Sequence, residues 1–86
     1  MYLTAQPDPV DPGDVLTICV EDVPLSVTTI EVSIDCSAPV DPALHTLVMT
    51  RADNTSSICS TWNVPEDFTG AWIDADGCDR IRVSAA

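Results

Sequence analysis

The sequence predicts an all-β protein, an antiparallel sandwich or small barrel of six or seven short strands, and three observations lead to this prediction. Apolar and polar residues alternate with a period of two through most of the chain, which is the pattern of strands with one buried face. Clusters of Pro, Gly, Asp and Asn separate the alternating segments, as turns do. No window of twelve residues keeps apolar positions at helical spacing without a proline or a β-branched run.

Six segments carry this alternation. The clearest is 30–35, Ile-Glu-Val-Ser-Ile-Asp, in which every second residue is apolar. In the segment around Trp62 the indole lies on the apolar side, which favours core packing over a ligand platform. Residues 1–12, rich in Pro and Asp, are predicted to form an extended N-terminal arm that includes an edge strand, with the sandwich domain at 13–86. The predicted strands are 15–21, 30–35, 46–50, 58–64, 70–75 and 79–84.

Charge and length restrict the class of function. The chain has 86 residues, 14 Asp and Glu, three Arg and no Lys, for a net charge of -11. This length fits one small domain, and this charge opposes binding to nucleic acid or to an anionic membrane surface. The apolar stretches are far shorter than the ~18 residues that span a bilayer. The first residues lack the basic and apolar regions of a secretory signal, so we expect a mature chain, an excised domain or export without such a signal.

The four cysteines Cys19, Cys36, Cys59 and Cys78 have no Cys-x-x-Cys spacing, and the chain has a single histidine. Zinc ligation and thioredoxin-like redox chemistry need such spacings. An even number of cysteines in a small domain therefore favours two disulfides over buried thiols and over a metal site. Spacing alone leaves all three connectivities open.

The order of the segments resembles bacterial and phage immunoglobulin-like domains of the Big and fibronectin-III-like kind. The likeness covers most of residues 9–84 and consists of turn and strand patterns, so it implies an Ig-like antiparallel β-sandwich of about seven strands and says little about function. In vertebrate-type domains two cysteines point inward on strands B and F, whereas here Cys19 points outward and strand F has none. The matching stretches are Pro-Val-Asp-Pro-Gly-Asp at 9–14, Leu-Thr-Ile-Cys-Val at 16–20, Ser-Thr-Trp-Asn-Val-Pro at 60–65, 70–77 and Arg-Ile-Arg-Val at 80–83.

The resemblance also suggests a disulfide pairing. Strands B and E are neighbours in one sheet of such a sandwich, and Cys19 and Cys59 would lie on their outward faces near the same end. This is the preferred pair. Cys36 and Cys78 remain as a second, uncertain pair, because the strand order places them at opposite ends of the sandwich, beyond the ~7 Å between Cα atoms that a disulfide tolerates.

Three carboxylates around a glycine, Asp74, Asp76 and Asp79, are a candidate Ca²⁺ site. The sequence does not match an EF-hand loop, and an Asp-Gly hairpin turn is the favoured interpretation. His45 lacks a nucleophile-elbow motif nearby. The acids at 8, 11 and 14 are separated by prolines and are expected to be solvated loop charges. With no convergent acid, base and nucleophile, we expect neither an enzyme nor a cofactor.

Contact residues are expected at Tyr2 and Leu3, the apolar tip of the predicted arm, and at Trp72, which is out of phase with Ala71 and Ile73. Trp72 would then point outward; the alternative is that this strand is shifted by one residue. A carbohydrate-binding module is less favoured, because the chain has only four aromatic residues. The resemblance implies a non-enzymatic phage virion protein, for capsid decoration or the tail, which binds a major capsid or other virion subunit or a second copy. Its location would be the virion surface or extracellular. The alternative is a spacer or adhesion domain excised from a bacterial extracellular protein.

Overall fold

The computed structural model describes residues 1–36 and 44–86, except the side chains of Cys36, Leu44 and His45. These residues form strands joined by turns and loops and contain no helix that could cross a membrane. The strands, in chain order, are β1 Tyr2–Gln6, β2 Val15–Glu21, β3 Thr29–Cys36, β4 Leu44–Thr50, β5 Ile58–Asn63, β6 Gly70–Ala75 and β7 Ile81–Ser84.

The strands form two antiparallel sheets, one of three strands in the order β1-β2-β5 and one of four in the order β4-β3-β6-β7. Each sheet places one apolar face against the other. The prediction of an all-β antiparallel sandwich of about seven strands is therefore confirmed. Each of the six strands predicted from alternation agrees with a strand of the structure to within two residues at both ends, and the last begins at Ile81 rather than at residue 79.

The core contains apolar side chains from both sheets, and no buried polar side chain occurs in the described residues. Trp62 is 8% exposed and meets Phe68 edge to face, with ring centroids 5.9 Å apart. This geometry is a favourable aromatic contact, so Trp62 packs in the core as its position in the alternation predicts. The largest fully buried side chains are Leu16, Ile18, Ile34, Met49, Ile58 and Ile73.

The N-terminal segment differs from the prediction of an extended arm. Tyr2–Gln6 forms β1, and its Leu3 lies opposite Val20 of β2. Leu3 is 6% exposed, and Val10 is fully buried and bridges Ala85. Because both side chains are part of the core, the predicted boundary at residue 12 does not separate an arm from the sandwich. The edge-strand part of the expectation agrees with the structure.

Candidate functional site

A disulfide joins Cys19 of β2 to Cys59 of β5. The two residues are direct cross-strand partners, with Cα atoms 4.1 Å apart, a separation typical of the closer, non-hydrogen-bonded pairs of an antiparallel ladder. Both side chains alternate with buried residues and therefore lie on the outer face of the three-stranded sheet. The preferred pairing is confirmed: alternation turns both side chains outward, and the register of β2 against β5 sets them opposite each other.

Cys78 is a free, half-buried thiol. The register places Cys36 opposite Ala71, at one end of the four-stranded sheet. Cys78 follows Ala75, which lies opposite Val32 nearer the other end. The uncertain Cys36–Cys78 pair is thus not formed at Cys78, and the side chain of Cys36 lies outside the described atoms. His45 has its side chain outside them as well.

The Asp76-Gly77 segment is a hairpin turn between β6 and β7. The amide of Cys78 donates a hydrogen bond to the carbonyl of Ala75 over 2.9 Å. Gly77 has a φ of 78°, in the left-handed region that glycine commonly adopts in turns. The favoured interpretation of this sequence as a turn therefore agrees with the backbone.

A groove of about 410 Å³ lies beside this turn on the outer face of the four-stranded sheet. Burial raises the pKa of the Cys78 thiol above its ordinary value, and the carboxylates of Asp79, Asp74 and Asp76 raise it further. The N-terminal ammonium acts in the opposite direction. The thiol is therefore held in its protonated, less nucleophilic form. The groove is lined by Glu31, Ser33, Asp74, Ala75, Asp76, Gly77 and Cys78.

Metal-ligand geometry does not single out the candidate calcium residues. In residues 1–36 and 44–86, the group of three acidic, His or Cys side chains with ligand atoms within 4.8 Å of one another is Cys19, Glu21 and Cys59. Its two sulfurs are bonded to each other, and the Glu21 carboxylate accepts a hydrogen bond from the Ser57 hydroxyl. The carboxylates of Asp74, Asp76 and Asp79 do not form such a group.

Trp72 lies on the outer face of the four-stranded sheet and is 40% exposed. Its cross-strand neighbours are Asp35 on β3 and Arg82 on β7. The guanidinium carbon of Arg80 lies 4.4 Å from the centroid of the indole and that of Arg82 5.6 Å from it. Both distances fit cation–π stacking. We call Trp72, Arg80 and Arg82 the Trp72 patch.

The sequence identifies Trp72 as outward but does not identify its two arginines. The signal is present: arginines two residues apart on a strand share one face. The Asp-Gly turn then sets the register that places Trp72 opposite Arg82. If the turn type is not known, the register of a hairpin can shift by one residue, which moves every side chain of the strand to the opposite face of the sheet. The contact between Trp72 and Arg82 therefore follows only from the structure.

The three predicted contact residues do not share a surface. Leu3 is buried in the core, which excludes it as an exposed anchor. Tyr2 is 52% exposed and pairs with Glu21 on the outer face of the three-stranded sheet, whereas Trp72 is on the outer face of the other sheet. The two exposed aromatic side chains thus lie on opposite faces of the sandwich.

The acidic residues of the first loop are exposed, as predicted. Asp14 Oδ1 accepts a hydrogen bond from the amide of Val15 over 2.9 Å, and Asp8 Oδ1 accepts one from the amide of Ser84 over 3.3 Å. The carboxylate of Asp8 therefore helps to hold the first loop against β7.

In comparisons with known proteins, no protein-family model, no curated protein and no solved structure matches this chain.

Proposed function

We propose that this protein is a non-enzymatic structural protein of a phage virion, an Ig-like module that binds the particle surface and stabilises it. The observation that carries the proposal is the outward Trp72, whose indole lies in cation–π contact with two arginines on the outer face of a sheet. Trp and Arg are the residue types most enriched among the energetic hot spots of protein interfaces. A preordered side chain loses little conformational entropy when a partner docks on it.

The strand order supports the Ig-like part of the proposal. In constant-type immunoglobulin domains, strands A, B, E and D form one sheet and C, F and G the other. Here β1, β2 and β5 form one sheet, and β3, β6 and β7 are adjacent in the other. The fourth strand differs, since β4 pairs with β3 rather than with β5. This single change of sheet leaves the remaining Ig-like neighbours in place.

The disulfide and the charge support a location on a particle outside the cell. Disulfides persist in oxidising environments and are rare where thioredoxin and glutathione act. A net charge of -11 keeps the free protein soluble. Most of the acidic side chains of the described residues are exposed, so one face can contact a subunit while the others remain hydrated.

The test is the composition of purified particles from the culture that produces this protein. Mass spectrometry should find it at a fixed ratio to a major structural protein, and a Trp72→Ala variant should be incorporated at least tenfold less. Val48→Ala is the matched control, because Val48 is 68% exposed on the outer face of the same sheet, away from the Trp72 patch. Full incorporation of Trp72→Ala would exclude this contact surface. Finding the domain only within a longer bacterial surface protein would favour the spacer or adhesion alternative.

A further inference from the structure

We infer that the free edge of β5 binds β5 of a second copy of this chain, in an antiparallel pair with two-fold symmetry. We call the backbone amides and carbonyls of Cys59, Thr61 and Asn63 the β5 edge. The inference goes beyond the proposed function and does not depend on it, because the β5 edge is a different surface from the Trp72 patch. It is carried by the direction of backbone groups, by the lack of protection on this strand and by the position of the charges.

The register of β5 against β2 determines which of its backbone groups are unpaired. Cys19 and Cys59 form a non-hydrogen-bonded pair, as the 4.1 Å between their Cα atoms indicates. Because the two kinds of pair alternate along an antiparallel ladder, Ser60 and Trp62 direct their backbone amides and carbonyls toward β2. The groups of the β5 edge therefore point away from β2. In the part of the chain that the structure describes, no strand pairs with β5 on that side.

The edge of β5 lacks the features with which native proteins prevent pairing to another chain, such as a proline, a charge, a bulge or a covering loop. The segment before β2 covers the end of β7, since the Val10 amide donates to the Ser84 carbonyl and the Ala86 amide donates to the Val10 carbonyl. Pro7 directly follows β1. In contrast, β5 contains no proline, glycine or charged residue, and it pairs with β2 residue for residue. This edge is thus open to a further strand.

The charges favour a second copy over an unlike partner. Neither β5 nor β4, the edge strand of the other sheet that contacts it, contains Asp, Glu, Lys or Arg. The opposite side of the sandwich includes Arg82 on β7 and Asp8 in the covering segment. A basic partner is attracted by acidic side chains at a contact, whereas a partner that also has a net charge of -11 is repelled by them. A side without charge is therefore what two acidic copies require.

The sequence of β5 fits a two-fold axis at Thr61. With Thr61 opposite its equivalent in the second copy, Cys59 lies opposite Asn63, and every amide of the β5 edge donates to a carbonyl of the other copy. An axis at Ser60 or at Trp62 leaves one member of the β5 edge without a partner in β5. The Thr–Thr pair on the axis is a favourable cross-strand pair. Because the same edge is used by both copies, the assembly closes as a dimer.

The symmetry of this dimer affects the Trp72 patch. A two-fold axis at the centre of an antiparallel pair is perpendicular to the sheet, so equivalent faces of the two copies point in the same direction. The dimer therefore presents two Trp72 patches on one side, where both can contact one surface. Linked contacts of this kind bind more tightly than either contact alone.

The first test is the oligomeric state of the full-length, oxidised protein, measured by analytical ultracentrifugation between 1 µM and 1 mM. We expect a reversible equilibrium between monomer and dimer that salt strengthens. An antiparallel pair brings the exposed acids of the loops at the two ends of β5, among them Asp53 and Glu66, toward each other, and salt screens their repulsion. A monomer at 1 mM in 0.5 M NaCl would overturn the inference, and so would growth into larger oligomers without a dimer plateau.

The second test locates the contact by amide hydrogen exchange, measured by NMR at both ends of this concentration range. The amides of the β5 edge should exchange at least tenfold more slowly in the dimer, because only the second copy provides them with acceptors. The amides of Leu3 and Ala5 are the internal control. They point away from β2 at the edge of β1 by the same alternation and should change less than threefold. A dimer that leaves the β5 edge unprotected would overturn the inference.

Two variants with equal net charge test the axis. Thr61→Lys places two ammonium groups next to each other at the centre of the pair and should weaken the dimer at least tenfold. Thr17→Lys makes the same change at the exposed position opposite Thr61 on β2 and should change the dimer affinity less than threefold. Equal effects would assign association to net charge and reject the β5 edge. If circular dichroism shows that Thr61→Lys does not fold, the exchange experiment on the parent protein decides.

Discussion

Arg51 donates hydrogen bonds to the carbonyl of Val27 from both Nε, over 3.1 Å, and Nη2, over 2.7 Å. Its other contacts are the carbonyl of Pro24, 2.8 Å from Nη2, and the carbonyl of Thr55. One guanidinium thus joins the loop before β3 to the loop before β5. Carbonyl groups in loops lack the regular hydrogen-bond partners that carbonyl groups in a sheet have. The Arg51 side chain supplies donors to three of these carbonyls.

Replacing Arg51 should destabilise the protein. We expect Arg51→Gln to lower the free energy of unfolding by about 2 kcal/mol, because hydrogen bonds to a charged, partly buried donor are lost together. Arg80→Gln is the matched control, since it makes the same change in net charge at an exposed stacking contact worth about 0.5–1 kcal/mol. Urea denaturation monitored by circular dichroism measures both. Equal losses would show that Arg51 acts only through charge.

Removal of the Leu3 side chain tests whether β1 belongs to the sandwich. Leu3 is 6% exposed and Leu25 is 65% exposed, so the two Leu→Ala variants make the same chemical change in opposite environments. We expect Leu3→Ala to cost about 2–4 kcal/mol of stability and Leu25→Ala less than about 0.5 kcal/mol. The comparison is between denaturant midpoints at unchanged slope. If the denaturant midpoint of Leu3→Ala equals that of the parent protein, residues 1–6 do not stabilise the sandwich and the predicted arm is the better description.

The disulfide should be a large contributor to stability. It joins residues 40 positions apart, and a loop of this length corresponds to about 4 kcal/mol in the loop-closure estimate. A Cys19→Ala, Cys59→Ala double variant should lose roughly this amount, whereas Cys78→Ser should change stability little, because its thiol is unpaired. Peptide mapping without reductant provides the direct check: alkylation of Cys19 and Cys59 in native protein would contradict the bond.

Cys78 should react slowly at neutral pH. Its pKa is raised by burial and by Asp79, Asp74 and Asp76, so the pH midpoint of its alkylation by iodoacetamide should lie above the ordinary thiol value of about 8.5. A thiol pKa raised by folding contributes stability below the pKa of the unfolded thiol and loses it as the pH rises through the folded value. Stability should therefore fall slightly in alkaline solution.

A Cys36→Ser background leaves Cys78 as the one cysteine outside the Cys19–Cys59 bond. There, Asp79→Asn should lower the midpoint, whereas Asp53→Asn makes the same change in net charge in the loop between β4 and β5, away from Cys78, and should leave it in place. A midpoint at or below that of the unfolded protein would contradict the assignment of the shift to this turn.

Most of the sheet could be predicted because alternation encodes which face of a strand is buried. The strand at 30–35 is an example, since β3 buries Ile30, Val32 and Ile34 at every second position. The outward direction of Cys19 and Cys59 followed from the same alternation, whereas their pairing was predicted from the neighbouring strands B and E that the resemblance to Ig-like domains implies. Periodicity failed at β1, where Leu3 is buried but Ala5 is too small to mark an apolar face and the following prolines suggest an extended loop.

The Trp72 patch could be predicted only in part. The parity of β6 identifies Trp72 as outward, because Ala71, Ile73 and Ala75 are buried. Its contacts with Arg80 and Arg82 depend on the hairpin register and on the space above Gly70, which are properties of two strands together. Sequence patterns describe one strand at a time, so such cross-strand contacts are beyond them.

The position of the Cys19–Cys59 bond also determines how the chain responds to tension. A pull on the two ends is transmitted directly from residue 19 to residue 59, so the segment between them, including β3 and β4, carries no load even after the sheets separate. The 40 positions thus shielded correspond to about 135 Å of extended chain. While the disulfide is intact, force can therefore extend only the segments before residue 19 and after residue 59. After reduction of the disulfide, the whole chain can extend.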